Sequence, residues 1–248
     1  EYYRMNTLFK FFIQVWVLLG IGTAAALPRI LSGIQRWRGM WRGGWQGVFG
    51  VLLVASLAYP ILGTPARLDD RFPGARPAIG TLDGMAFMTV GTYYWPDGES
   101  PIHLKYDYEA IQWLLEHVQG TPVLAEVAAG WYNVRGKDMG VDYYRAGGLR
   151  ASTMTGFPTF IGQHQSEQRY DFQTGERERV AREFFQTPDE NRTWELINEL
   201  RVGYIYIGQL ERLIFAPESL AKFERMVQDG RLQVAYRNDG VTIYQVKK

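Results

Sequence analysis

The sequence predicts two transmembrane helices followed by a small extracytoplasmic α/β domain with a mainly parallel sheet and a C-terminal β-hairpin. Three observations carry that expectation. Two apolar runs, almost free of charge, lie near the start of the chain. Strand and helix patterns alternate from residue 106 onward. Near the end, Asn238, Asp239 and Gly240 separate two runs of alternating apolar residues.

The first apolar run covers residues 8–27 and carries one charge, Lys10, at its edge; Pro28 follows. A bilayer core takes about 20 mostly apolar residues as a helix, and this run meets that length. The second covers residues 46–63 and has no charge at all. Trp45 and Tyr59 sit where interfacial aromatic residues extend it. A buried hairpin in a soluble core is the competing reading, but two such runs close to spanning length are uncommon in soluble domains. Between them stand Arg29, Arg36, Arg38 and Arg42, interleaved with Trp37, Trp41 and Trp45 and with no acidic residue. Short arginine-rich connections stay on the cytoplasmic side, and tryptophan settles at the headgroup boundary. A basic aromatic segment can also signal RNA, but placed between two spans it reads as an interfacial anchor. The expected topology puts Arg4 and everything after Thr64 outside the cytoplasm, with the protein in the plasma membrane.

Three segments follow from this: residues 1–63 as a transmembrane hairpin, 64–105 as a linker and loop at the membrane surface, and 106–248 as the α/β domain. The linker is rich in Pro, Gly and charge. In the domain, "YDYEAIQWLLEHV" has helical spacing with Asp107 as N-cap. "TPVLAEVAA" and "FPTFIG" read as strands, "TWELINEL" as a helix, and "VGYIYIG" as a strand. "PESLAKFERMVQDG" is a helix with Pro217 at its start and Gly230 past its end. The Asn-Asp-Gly turn makes the last stretch a hairpin, and strand–helix alternation argues for parallel pairing.

Composition narrows the chemistry. The chain has 248 residues and a net charge of +1, so no global field points to nucleic acid. It lacks cysteine, which excludes disulfides and thiolate catalysis within it. The chain opens on Glu1 with no cleavable signal pattern, which suggests the C-terminal piece of a longer protein. Phosphate-loop, dinucleotide, nucleophile-elbow and zinc-protease motifs are absent from the sequence. His103, His117 and His164 are scattered without metal-ligand spacing. The acidic pairs Asp69–Asp70 and Asp138–Asp142 read as solvated loop residues rather than acid/base catalysts.

One cluster is more specific. Around "FPTFIG" gather Arg150, Thr159, His164, Gln165, Glu167 and Arg169. Polar residues at the carboxyl end of a strand face the crevice where open α/β sheets bind ligands, and Gln and Arg can clamp a sugar or phosphate. A polar loop followed by a solvated helix is the plainer alternative.

The stretch "RMNTLFKFFIQVWVLLG" resembles the Arg-Met-Asn-Thr-x-Phe-Lys-Phe signature of the YYY family of multi-spanning membrane proteins of bacteria and archaea. "YDYEAIQWLLEHVQGTPVLAEV", "TGFPTFIGQHQSEQR" and "VGYIYIGQLER" resemble that family's later pattern in the same order, although the "GQHQSEQR" segment is shorter. The family is similar to polytopic glycosyltransferases of the C-fold type, which use lipid-phosphate sugar donors at the outer face. The resemblance implies a glycosyltransferase with a polyprenyl-phosphate sugar donor, membrane lipid around it, and a glycan or protein acceptor. It further implies that the catalytic carboxylate, and any divalent metal, belong to an upstream outer loop. The catalytic residues are therefore not named, and these 248 residues alone are expected to be inactive.

Arg4, Asn6 and Lys10 fall on one face at the outer end of the first span. Cations at that depth can simply snorkel. Alternatively the three hold the phosphate of the donor where it leaves the bilayer, a reading that Asn6 favours because an amide gains little from snorkelling.

Overall fold

The computed structural model describes residues 5–78, 80–94, 97–141, 148–162 and 170–247, with the side chains of residues 5, 6, 171 and 172 left aside. Two compact units divide the chain, residues 1–68 and 69–248.

The first unit holds two helices long and apolar enough to cross a membrane, and none of the residues in their most apolar stretches is buried. Helix α1 spans Met5–Ile34 and helix α2 spans Gly39–Ala58. Helix α1 extends past both ends of the first apolar run, and α2 begins before the second. Pro28, which follows the first apolar run, lies inside α1, and the helix continues for six residues beyond it. Proline removes one intrahelical donor and kinks a helix. Here the Ser32 hydroxyl donates to the Pro28 carbonyl at 2.8 Å, and Arg29 Nη1 lies 3.4 Å from the Ala25 carbonyl, so nearby side chains meet backbone carbonyls around the proline. Residues 59–63 form a π-helical turn around Pro60. Helix α3, Thr64–Arg71, continues directly from it, so the expected linker starts as helix. Residues with missing amide donors are where such wide turns arise.

The second unit is an α/β domain with C-terminal antiparallel strands, as the sequence predicts. A short ribbon pairs β1, Thr92–Tyr93, with β2, Ile102–His103. Helix α4, Leu104–His117, leads to β3, Val123–Ala125. A hairpin of β4, Gly130–Val134, and β5, Lys137–Val141, forms its own two-stranded sheet. Helices α5, Arg150–Thr155, α6, Asp171–Gln186, and α7, Glu190–Glu199, precede β6, Val202–Ile207. Then come α8, Gln209–Ile214, α9, Pro217–Gln228, β7, Leu232–Arg237, and β8, Thr242–Val246.

The main sheet has the order β3-β6-β8-β7. Only β3 and β6 are parallel; β6–β8 and β7–β8 are antiparallel. The sheet is therefore mixed rather than mainly parallel, because the C-terminal hairpin supplies half of its strands. Alternating residues of β6 face opposite sides. Ile205 and Ile207 join a core with Phe184 and Phe185 of α6, Phe215, and Phe223 of α9. Tyr206 joins the other core, with Ala110, Ile111 and Leu114 of α4 and Ala151 of α5. Ring pairs such as Phe185–Phe215, stacked at 5.0 Å, fill the first.

Two local expectations need correction. Asp107 is not the N-cap of α4: His103 occupies that position, and Asp107 is buried in the first turn at 1% exposure. Nor is "FPTFIG" a strand. Leu124 donates to the Pro158 carbonyl at 2.8 Å, but Pro158 has no amide to return the bond, and no ladder forms there. The C-terminal hairpin closes as the sequence suggests, with Asn238 Oδ1 accepting the amides of Gly240 at 3.0 Å and Val241 at 2.7 Å. Helix α7 starts from a true cap, since the Asp189 carboxylate accepts the Asn191 amide at 2.9 Å.

Candidate functional site

The carboxyl ends of β3 and β6, the parallel pair, bring three buried acids together: Asp107, Glu126 and Glu211, each at most 3% exposed. A buried carboxylate needs partners, and each has a different set. Glu126, the residue after β3, receives the Ala151 amide at 2.9 Å and the Ser152 amide at 2.7 Å from the first turn of α5. Leu149 makes this possible by adopting a left-handed conformation, φ 60°, just before that helix. Leucine rarely does so, and here its side chain is buried.

Glu211 folds back from α8. Its Oε2 accepts the Gly208 amide at 2.8 Å and its Oε1 accepts the Val127 amide at 3.1 Å, so one carboxylate staples the segments that follow β6 and β3. A Cβ on Gly208 would stand 3.1 Å from both Glu211 Oε2 and the Tyr206 ring, and 3.5 Å from Asp107 Oδ1. Only a residue without a side chain lets these three groups converge.

Asp107 is paired differently. Its Oδ2 lies 2.6 Å from Arg150 Nη1, and its Oδ1 accepts the Tyr206 hydroxyl at 2.7 Å. The Arg150 guanidinium also lies over the Tyr93 ring, 5.8 Å from its centroid.

Burial sets the acid–base character of the group. It pushes the Glu126 carboxyl up to about 7, against the hydrogen bonds from Ser152 that pull the other way. Burial likewise raises Glu211, opposed by the amides of Val127 and Gly208. Tyr206 is raised well above its ordinary value by burial and by the Asp107 charge. Burial alone would lower Arg150, but the Asp107 carboxylate holds it above its usual value. Next to this group, Tyr132 is pushed up to about 12 by burial, while its hydroxyl donates to the Ala128 carbonyl at 2.8 Å and Arg182 covers its ring.

Two sequence-selected residues carry unsatisfied polar atoms. Among the described residues, Arg150 Nη2 and Thr159 Oγ1 are buried with no hydrogen-bond partner. Such groups are uncommon in folded proteins and call for an explanation. Lys10 is exposed on α1. Arg4, His164, Gln165, Glu167 and Arg169 lie outside the described residues, as does the side chain of Asn6. Among the described residues no group of three or more His, Asp or Glu side chains is arranged to hold a metal ion. Sequence reasoning passed over Glu126, Glu211 and Tyr206. The available signal was a single acid in an otherwise apolar stretch, "VLAEVAA", where burial demands a partner.

A second cleft, of about 450 Å³, lies beside α9 and the C-terminal hairpin. Its charged groups already engage one another. Arg237 pairs with Glu224, which also accepts the Tyr244 hydroxyl at 2.7 Å, and Arg212 donates to the Gly240 carbonyl at 2.5 Å.

No family model and no curated protein matches the chain, so the resemblance to the YYY family stands on the quoted motifs alone. Among solved structures, the chain is similar to the crystal structure of the C-terminal globular domain of an oligosaccharyltransferase from Archaeoglobus fulgidus. The likeness has a TM-score of 0.36 and 13% identity, and it covers 56% of this chain and 95% of that one.

Proposed function

We propose that the chain is the C-terminal part of an integral-membrane glycosyltransferase whose sugar donor is linked to a lipid phosphate and is used on the outer face. In this reading α1 and α2 span the membrane, the arginine-rich turn between them is cytoplasmic, and the α/β domain holds donor or acceptor. The observation that carries it is the pair of unsatisfied donors, Arg150 Nη2 and Thr159 Oγ1, in a segment following the carboxyl-end carboxylate group. A guanidinium edge and a hydroxyl suit phosphate or sugar oxygen atoms. Arg4, Asn6 and Lys10 would meet the donor phosphate at headgroup depth, and His164, Gln165, Glu167 and Arg169 would complete the polar segment.

The test is transfer of radiolabelled sugar from a polyprenyl-phosphate donor to cell-envelope acceptors by membranes carrying the full reading frame. Thr159→Val, His164→Ala and Arg169→Ala should each lower transfer at least about tenfold while leaving the melting temperature nearly unchanged. Wild-type rates in all three, or a large drop in melting temperature for all three, would remove the proposed site. The 248-residue chain alone should give no turnover.

One observation favours a second reading, a membrane-anchored module that binds a cell-surface glycan or partner without catalysis. Glu126 and Glu211 are both buried and both occupied by backbone amides. Retention of an envelope glycan by the purified chain, together with no transfer by the full reading frame, would select it.

A further inference from the structure

We propose that the C-terminal end of α1 and the turn that follows it form a binding site for the headgroup of an anionic phospholipid, centred on Arg29 and Arg36. This rests on the membrane reading above.

Four arginines lie in or beside this connection, Arg29 near the end of α1, Arg36 and Arg38 in the turn and Arg42 in the first turn of α2, and all four are exposed. Residues 2–68 contain no Asp or Glu, and among the described residues none of the four arginines makes an ion pair. The second unit is different: Arg179, Arg192, Arg225, Arg231 and Arg237 are all paired with carboxylates. The segment therefore concentrates cationic donors in a stretch, residues 2–68, that has no carboxylate side chain to neutralise them.

The geometry supplies a receptacle. Pro28, Arg29, Ser32, Gly33 and Arg36 line a shallow cleft of about 370 Å³. Arg29 lies in α1 and Arg36 two residues past its end, in a turn where the Arg36 amide donates to the Gly33 carbonyl at 3.1 Å, and both line the cleft. Gly33 lies between them in the sequence, and among the described residues a Cβ there would meet nothing within 4 Å, so the glycine leaves an open notch in a cleft that Arg29 and Arg36 also line. Ser32 is turned back to the Pro28 carbonyl and contributes little. The guanidinium fork matches two oxygens of a phosphodiester, which an ammonium does not.

The surroundings select a lipid over a free ion. Trp37 is 50% exposed, Trp41 66% and Met40 79%, beside Ile30 and Leu31, so apolar surface borders the cationic notch. A soluble phosphate has no use for that border. A headgroup whose acyl chains run along α1 and α2 covers both. Basic pockets of this kind, on the cytoplasmic side of helical membrane proteins, take anionic lipid.

The experiment is native mass spectrometry of the detergent-solubilised chain with an equimolar mixture of phosphatidylglycerol and phosphatidylcholine. Phosphatidylglycerol adducts should exceed phosphatidylcholine adducts by about fivefold or more. The double variant Arg29→Gln with Arg36→Gln should bring the two to parity. Gly33→Leu keeps every charge and fills the notch, and it should do the same. Arg67→Gln, an exposed cation on α3, should leave the preference intact. Helical circular dichroism confirms that each variant is folded, and if Gly33→Leu fails to fold, the double variant decides alone. Retained preference in the double variant, or an equal loss in Arg67→Gln, overturns the site. Displacement of phosphatidylglycerol by excess inorganic phosphate overturns the lipid assignment in favour of a free anion. Failure of the membrane reading looks different: the chain would be released from membranes by alkaline extraction, whatever its lipid preference.

Discussion

The Asp107 carboxylate sits 2.6 Å from the Arg150 guanidinium, joining the first turn of α4 to the first residue of α5 inside the domain. Both side chains are at most 10% exposed. Removing one partner strands the other without solvent, and such losses run to about 3–5 kcal/mol. Arg150→Met should therefore lower the urea midpoint strongly. Adding Asp107→Asn, which can still accept the Tyr206 hydroxyl, should restore much of it. A double variant no more stable than Arg150→Met would show that the two side chains are not coupled.

Gly208 is the second lever. A Cβ there meets Glu211 and Tyr206 at 3.1 Å, tighter than ordinary packing. Overpacking of this kind costs about 1–3 kcal/mol, so Gly208→Ala should lower thermal stability by several degrees. Gly84→Ala, where among the described residues a Cβ meets nothing within 4 Å, is the control and should leave the melting temperature where it is.

Glu126 makes the stability of the domain depend on pH. Its folded pKa is raised from 4.5 to about 7, so between those values the folded state holds a proton that the unfolded state releases. The stability this contributes is complete below about pH 4.5 and disappears as pH rises through 7, at most about 3 kcal/mol. Urea titrations at pH 5 and pH 7.5 should show that difference in the wild type and a smaller one in Glu126→Gln. Equal differences in the two proteins would remove Glu126 from the account.

Lys222 works in the opposite direction. Its ammonium is fully buried and donates to the carbonyls of Phe184 at 2.5 Å and Thr187 at 2.6 Å, closing the C-terminal end of α6. Burial lowers it from 10.5 to about 7, so the unfolded state binds the extra proton over that interval and stability from this group rises with pH. Lys222→Met strands two carbonyls and should lose about 1–3 kcal/mol, and it should also lack the wild-type gain between pH 7 and pH 9. A variant with the wild-type pH profile would show that another group produces that gain.

Single cysteines test the topology. Ser32 and Glu218 are both exposed. In intact cells an impermeant thiol reagent should label Glu218→Cys and spare Ser32→Cys. The reverse pattern would invert the proposed orientation.

Elements specified by neighbours in sequence were readable in advance. The two apolar helices, the helix that Pro217 starts and the hairpin turned by Asn238 and Gly240 all announce themselves within a few residues. The β4–β5 hairpin did not, because its turn uses Arg135 at φ 53° with Gly136 rather than an Asn-Gly or Asp-Gly pair. At the candidate site, Arg150 and Thr159 were selected from their local polarity. The partners that define the site were not, since Asp107 meets Tyr206 across 99 residues and Val127 meets Glu211 across 84. Side-chain periodicity encodes which face is buried, and it says nothing about which charge waits there.

The order of the main sheet also bears on how the chain comes off the ribosome. Strand β8 lies between β6 and β7 although it is the last of the four to be made. Until residues 242–246 emerge, β6 has an open edge and β7 has no neighbour. An uncovered strand edge recruits other chains, and large domains assemble through intermediates that expose such edges. The domain therefore closes in one late step, when a single strand slides between two waiting ones. Its period of greatest vulnerability to misassembly ends only when β8 is in place.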